Sequence, residues 1–167
     1  MVILGIDPGT ASMGYGIVRY EKDRFEPLCY GVLRTSKSKE TAQRLKTLFE
    51  GINLLISKFS PEQVAVEALF FNSNTTTAIS VGQARGVAIL AAGLNEIPVF
   101  EYTPLQVKQC VAGYGKADKK QIQFMVRALL SLNVTPKPDD AADALAIAIC
   151  HGHLYSSNRI MGEKAYD

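Results

Sequence analysis

Two short apolar runs in this 167-residue chain each end on a carboxylate. Val2-Ile3-Leu4-Gly5-Ile6 runs into Asp7, and Val64-Ala65-Val66 runs into Glu67. Runs of this length, flanked by turn residues, read as buried strands, and Asp7-Pro8-Gly9 breaks the first of them. In an open α/β sheet, ligands gather at the carboxyl ends of parallel strands. Neighbouring pairing of these two strands would therefore set Asp7 and Glu67 side by side. A second acid pair, in Asp140-Ala141-Ala142-Asp143, is spaced by three residues and projects from one face of a helix. Carboxylates brought together repel and raise each other's pKa. Hard divalent cations such as Mg2+ and Mn2+ prefer oxygen ligands and relieve that repulsion. If the four acids converge, the chemistry they suit best is metal-dependent phosphodiester hydrolysis.

The remaining elements follow from pattern. A second strand spans Gly14 to Tyr20 and a third spans Phe25 to Leu33, continuing a meander. From Glu40 to Phe59, Ala42, Leu45, Leu48, Phe49, Ile52, Leu55, Ile56 and Phe59 recur at helical spacing, with Pro61 just beyond. The strand carrying Glu67 comes fourth. A helix from Thr75 to Leu94 follows, with Ile79, Gly82, Gly86, Val87, Leu90 and Leu94 along one side. Pro98 to Tyr102 makes a fifth strand. Thr103 caps the next helix with Pro104 in its first turn, and that helix stops near Gly113-Tyr114-Gly115. Asp118 caps another, burying Ile122, Met125, Val126, Leu129 and Leu130. After a loop holding Pro136 and Pro138, a last helix runs from Asp139 to Leu154. This succession resembles a ribonuclease-H-like α/β fold, with a mixed five-stranded sheet flanked by helices. Residues 1–155 are expected to form one domain and residues 156–167 a flexible, polar tail.

Composition narrows the class. A hydrophobic fraction of 47% with 20% charged residues is that of a globular protein, and one domain is what this length accommodates. The net charge of +2 points to an anionic partner without identifying it. Cys29, Cys110 and Cys150 are odd in number and widely spaced, so they read as reduced thiols and not as a disulfide frame or zinc site. No signal peptide is expected, since the first residues lack a basic start and a cleavage site and Asp7 interrupts the apolar run, and no stretch is long enough to span a bilayer. The expected compartment is the cytoplasm.

Several blocks, in register, carry a family likeness. Gly5-Ile6-Asp7-Pro8-Gly9-Thr10 with Gly14-Tyr15-Gly16 resembles the opening of the RuvC Holliday-junction resolvases. The same holds for Gly82-Gln83-Ala84-Arg85-Gly86-Val87-Ala88, for Gln106-Val107-Lys108-Gln109, and for the block from Asp140 to Ala148. The blocks keep the family's order nearly to His153. The resemblance implies a homodimeric endonuclease that nicks two strands of a four-way DNA junction symmetrically, in partnership with the RuvA–RuvB branch-migration complex. It implies two Mg2+ ions per active site, with Mn2+ able to substitute, and places the catalytic, metal-binding acids at Asp7, Glu67, Asp140 and Asp143. Some family members carry His where this chain has Asp140. Asp139 is extra to the motif and reads as a bystander capping the helix. Lys108 and Lys119 match lysines used near the scissile phosphate or junction backbone, and Phe70 matches an aromatic at the site edge that could stack on an unpaired base.

Each residue has a plainer reading beside this one. Asp7 could be a turn former, Glu67 a solvated strand end, and Asp140 with Asp143 acids favoured at a helix N-terminus. Lys116, Lys120 and Arg127 read as a solvated helix face. Phe70 and its neighbour Phe71 could belong to the core or a dimer contact. Arg85 could hold a dimer or a phosphate. His151 and His153 read as packing or surface residues. Two rival functions compete: a non-catalytic junction-binding module, and an actin/Hsp70-like phosphate-binding ATPase fragment. The second needs another domain and another nucleotide loop that the chain is too short to supply.

Overall fold

Alternation along the strands sorts their side chains between two cores. The structure, a computed structural model, describes residues 1–69 and 75–163. It opens with an antiparallel meander of β1 (Val2–Asp7), β2 (Ser12–Glu21) and β3 (Arg24–Arg34). Lys22 and Asp23, both at positive φ, make the two-residue reversal between β2 and β3. Helix α1 (Thr41–Phe59) then carries the chain over to β4 (Gln63–Glu67), which lies parallel to β1. Helix α2 (Thr75–Leu94) leads to β5 (Val99–Tyr102), parallel to β4. The sheet order is β3-β2-β1-β4-β5, the mixed ribonuclease-H-like arrangement expected from the order of elements.

Leu4, Ile6, Val64 and Val66 point to the face covered by α1 and α2, where they meet Leu48, Ile52, Ala84 and Ala88. Ile3 and Ala65 point to the other face. That face is covered by α3 (Pro104–Ala112), α4 (Lys119–Leu129) and α5 (Asp139–Glu163). Both short helices start as their sequences predict. Thr103 and Gln106 form a reciprocal capping box at α3, and Asp118 and Gln121 form another at α4.

Two boundaries differ from expectation by two residues or more, and one helix turns an unexpected face outward. Strand β2 starts at Ser12, two residues before Gly14, because its pairing with β3 continues from Gly14↔Val32 to Ser12↔Arg34. Helix α5 continues through Glu163 and not to Leu154. Once a helix is nucleated, each added residue gains a hydrogen bond, and no proline halts this one. Ser156 also donates to Asp23 at 3.1 Å, tying the extension to the β2–β3 reversal. On α2, the side bearing Ile79, Leu90 and Leu94 faces outward, with exposures of 64%, 55% and 65%. The buried side is alanine: Ala84, Ala88, Ala91 and Ala92. Small side chains let α2 lie close on the sheet and α1, and the bulkier aliphatics are left outside.

Helix α5 is the centre of the molecule. Every residue from Ala144 to His151 is buried. It lies so close to the sheet that strand side chains are missing where it crosses. A Cβ added at Gly5 would stand 2.2 Å from the Ala144 carbonyl oxygen. One at Gly14 would stand 2.0 Å from the Asp140 carbonyl oxygen, and one at Gly16 would meet Leu145 at 2.8 Å. Toward its other end, His151 joins α5 to two strands. The Tyr102 hydroxyl donates to Nδ1 at 2.7 Å, and Nε2 donates to the Gln63 amide oxygen. Burial pushes the His151 pKa down to about 4, so the ring stays neutral within this network.

These close approaches make a direct prediction. Gly5→Ala and Gly14→Ala each force α5 away from the sheet, because the obstructing atoms are backbone and cannot rotate aside. Overpacking of this kind costs about 1–3 kcal/mol or more, and thermal melting should show a clear loss of stability for both variants. Melting temperatures equal to that of the unaltered chain would contradict the close seating of α5.

Candidate active site

The sheet and α5 bring the acids together from three separate elements. Asp7 ends β1 and Glu67 ends β4, and the parallel register Ile6↔Val66 makes the two acids next in step on adjacent strands. Asp140 and Asp143 lie in the first turns of α5, whose carbonyl at Asp140 rests over Gly14, the β2 partner of Asp7. One carboxylate oxygen each from Asp7, Asp140 and Asp143 fall within 4.8 Å of one another. Glu67 stands outside that trio but within its electrostatic reach.

Burial and mutual repulsion leave the cluster short of positive charge. The Asp7 carboxyl is pushed up to about 8, first by burial and then by the negative charges of Glu67, Asp143 and Asp140. Glu67 is also raised, by burial and then by Asp143. Burial raises Asp143, against the opposing pull of Lys119. A hard-oxygen set of this kind fits a divalent cation: the donors are all carboxylates, they converge, and the protein supplies one lysine against them. Among the described residues, this trio is the group of acids, histidines and cysteines that converges closely enough to hold a metal ion.

The predicted lysines adjoin the cluster. Lys108 on α3 and Lys119 at the start of α4 line a cavity of about 290 Å3 together with Glu67 and Asp143. Its apolar wall is Val107, Ile122, Ala146 and Ile147. The Lys119 ammonium lies 3.2 Å from both Asp143 and Asp139. Asp139, expected as a bystander capping the helix, is instead the first residue of α5, and its carboxylate pairs with Lys119 and accepts from Gln123 at 3.0 Å, binding the start of α5 to α4. Phe70, expected at the site edge, and Phe71 lie outside the described residues.

Other residues support the acids without having been singled out for that role. Arg85 on α2, left open between dimer and phosphate, donates to the Glu67 backbone carbonyl at 3.3 Å and pairs with Glu101 on β5. It holds the end of β4, where Glu67 sits. Ser12 donates from its hydroxyl to Asp140 at 2.6 Å. Arg85 stands inside one of the sequence blocks, so a signal was present; Ser12 carried none.

The comparisons with known proteins point to one family. Residues 3–151 match the family model described as crossover junction endodeoxyribonuclease RuvC. A protein of that name from Desulfitobacterium hafniense is 60% identical over 162 residues, 97% of this chain and 98% of the relative. Another, from Alkaliphilus metalliredigens, is 58% identical over 153 residues, 92% of this chain and 93% of the relative. Thermus thermophilus RuvC, solved in complex with Holliday junction substrate, superposes with a TM-score of 0.90 at 37% identity, covering 95% of this chain and 96% of that one. With a family match over almost the whole chain, relatives this similar and a matching solved fold, the chain belongs to the RuvC family of crossover junction endodeoxyribonucleases.

Proposed function

We propose that this chain resolves Holliday junctions in recombination and DNA repair, as a Mg2+-dependent endonuclease that makes paired, symmetric nicks in four-way DNA. The observation that carries the reading is the convergence of Asp7, Asp140 and Asp143, with Glu67 on the neighbouring strand, in a chain of this family. Asp7, Glu67, Asp140 and Asp143 are the catalytic and metal-holding residues in this reading. Bound there, two Mg2+ ions supply Lewis-acid stabilisation of the phosphate and a water of lowered pKa, and Mn2+ can substitute. The acids themselves supply the negative field that draws cations in, and burial keeps that field strong. Lys108 and Lys119, on the rim of the same cavity, offer positive charge to the DNA backbone. Phe70 is proposed as a base-stacking residue on the family likeness alone.

Two symmetric nicks require two sites, and each chain holds one acid cluster of this kind among its described residues. A homodimer meets that need. The outward side of α2 supports it: Ile79, Leu90 and Leu94 are exposed, and Gly86 between them has open space where a Cβ would be. The family likeness also supports partnership with the RuvA–RuvB branch-migration complex. The cytoplasm is the proposed compartment, in keeping with action on DNA. Among the described residues, no helix is long and apolar enough to cross a membrane.

The central test separates chemistry from binding. Asp7→Asn, Glu67→Gln and Asp140→Asn should each abolish Mg2+-dependent nicking of a synthetic four-way junction, while gel-shift binding of the same junction persists. Asp143→Asn should do likewise, with some residual nicking. Ca2+ should support binding and little or no cleavage, because its larger, looser shell misplaces the attacking water. Full nicking by Asp7→Asn or Glu67→Gln would refute the metal-site reading.

The raised Asp7 carboxyl predicts a pH effect on stability. Its folded pKa of about 8 lies above the ordinary carboxyl value of 3.8, so between these the folded state binds more protons than the unfolded. Stability in EDTA should therefore fall, through this group, as pH rises from about 4 to about 8. Asp7→Asn lacks that loss, so its melting temperature should rise relative to the unaltered chain across this window and level off above it. Mg2+ should restore the unaltered chain at pH 8 and leave the variant nearly unmoved. A constant difference between the two at all pH values would contradict the assignment.

Salt dependence tests the lysines. If Lys108 and Lys119 each neutralise a phosphate, then Lys108→Ala and Lys119→Ala should each flatten the slope of log K against log salt by about one unit. An unchanged slope in both would remove them from the DNA contact.

A further inference from the structure

We propose that Ser12 is a positioning residue for the metal site, acting through Asp140; the idea rests on the metal-site reading above. Its hydroxyl donates to Asp140 Oδ2 at 2.6 Å, a contact between residues 128 apart in sequence. That distance lies in the strong range for a hydroxyl on a carboxylate. An aspartate on the first turn of a helix is otherwise free to turn about its terminal torsion, which is broad and roughly two-fold. With one oxygen taken by Ser12, the carboxylate plane is fixed and a defined edge faces Asp7 and Asp143. The bond does for a carboxylate ligand what an outer-shell acceptor does for a ligating histidine.

Ser12 is itself held by a short chain of hydrogen bonds. It begins β2, immediately after the turn that leaves Asp7, and pairs there with Arg34. Just beyond that pair, the Thr35 backbone N–H donates to the Ala11 carbonyl at 3.1 Å. The Thr35 hydroxyl donates to the Thr10 carbonyl at 2.5 Å and accepts from Arg44 Nε on α1 at 2.9 Å. The turn following Asp7 is thus fastened to β3 and α1, and from this fastened turn Ser12 reaches Asp140. One loop therefore sets two of the acids: Asp7 through its backbone and Asp140 through the serine hydroxyl.

The test compares Ser12→Thr with Ser12→Val, side chains of nearly equal shape that differ by a hydroxyl for a methyl. Mn2+ binding to the DNA-free protein is titrated directly by calorimetry or by the electron paramagnetic resonance of free Mn2+. Ser12→Val should weaken Mn2+ binding ~10–100-fold, the range seen when outer-shell partners are removed, and Ser12→Thr should stay close to the unaltered chain. The Mg2+ concentration for half-maximal nicking should rise by a similar factor in Ser12→Val, with nicking recovering at saturating Mg2+. Junction affinity in EDTA should be the same in both variants. Circular dichroism and melting in EDTA confirm that both are folded, and Ser12→Ala serves as the hydroxyl-free variant should Val not fold. Equal Mn2+ affinity with and without the hydroxyl would overturn the proposal. Asp140→Asn is the control: if it too binds Mn2+ normally, the metal-site reading itself fails, whereas loss in Asp140→Asn alone rejects only the role of Ser12.

Discussion

The near-contact of helix α5 with the backbone of β1 and β2 is the constraint on which the rest of this molecule depends. Gly5, Gly14 and Gly16 strip the sheet of side chains where the helix crosses, and alanines on the helix complete the approach. Interiors pack at crystal-like density, so a contact this tight leaves no slack to be taken up elsewhere. The closeness is what lets carboxylates from a strand end and from a helix start share one small volume. A leucine or valine in place of Gly14 would collide with the Asp140 carbonyl and push the start of α5 off the sheet.

That arrangement stores electrostatic repulsion inside a well-packed scaffold. Burial and like charge raise Asp7, Glu67 and Asp143 together. The cluster is supported from around it: Arg85 holds the carbonyl of Glu67, Lys119 lies between Asp139 and Asp143, and the turn behind Asp7 is fastened to β3 and α1. Lys119 pairs with Asp143 in the wall of a cavity that Lys108 also lines. Positive and negative charge therefore face the same cavity. Phosphodiester chemistry needs both at the scissile bond.

Much of this was legible in the residues. Strand ends at Asp7 and Glu67 followed from short apolar runs closed by an acid, and the helical face of Asp140 and Asp143 followed from a spacing of three. The capping boxes at Thr103 and Asp118 are local, and local chemistry reads well. What was not legible depends on tertiary approach. The Ser12–Asp140 bond joins residues 128 apart, and the Asp139–Lys119 pair joins two helices, so neither leaves a trace in local pattern. Which face of α2 turns outward was not legible for a related reason. Periodicity shows that Ile79, Leu90 and Leu94 share a side, but which side packs inward was decided by alanines that carry little hydrophobic signal.

The network of Tyr102, His151 and Gln63 has a mechanical meaning. Helix α5 is gripped at two points: glycine seats beneath its first turns and a buried histidine further along it. A rod held twice can neither slide nor roll. An α-helix advances about 1.5 Å and turns about 100° per residue, so a one-residue slip would present Ala141 and Ala144 where Asp140 and Asp143 now stand. The spacing between the two grips therefore acts as a ruler. A deletion or insertion inside 144–150 would put the seated acids and His151 out of step by about 100°, so one of the two grips would have to be given up.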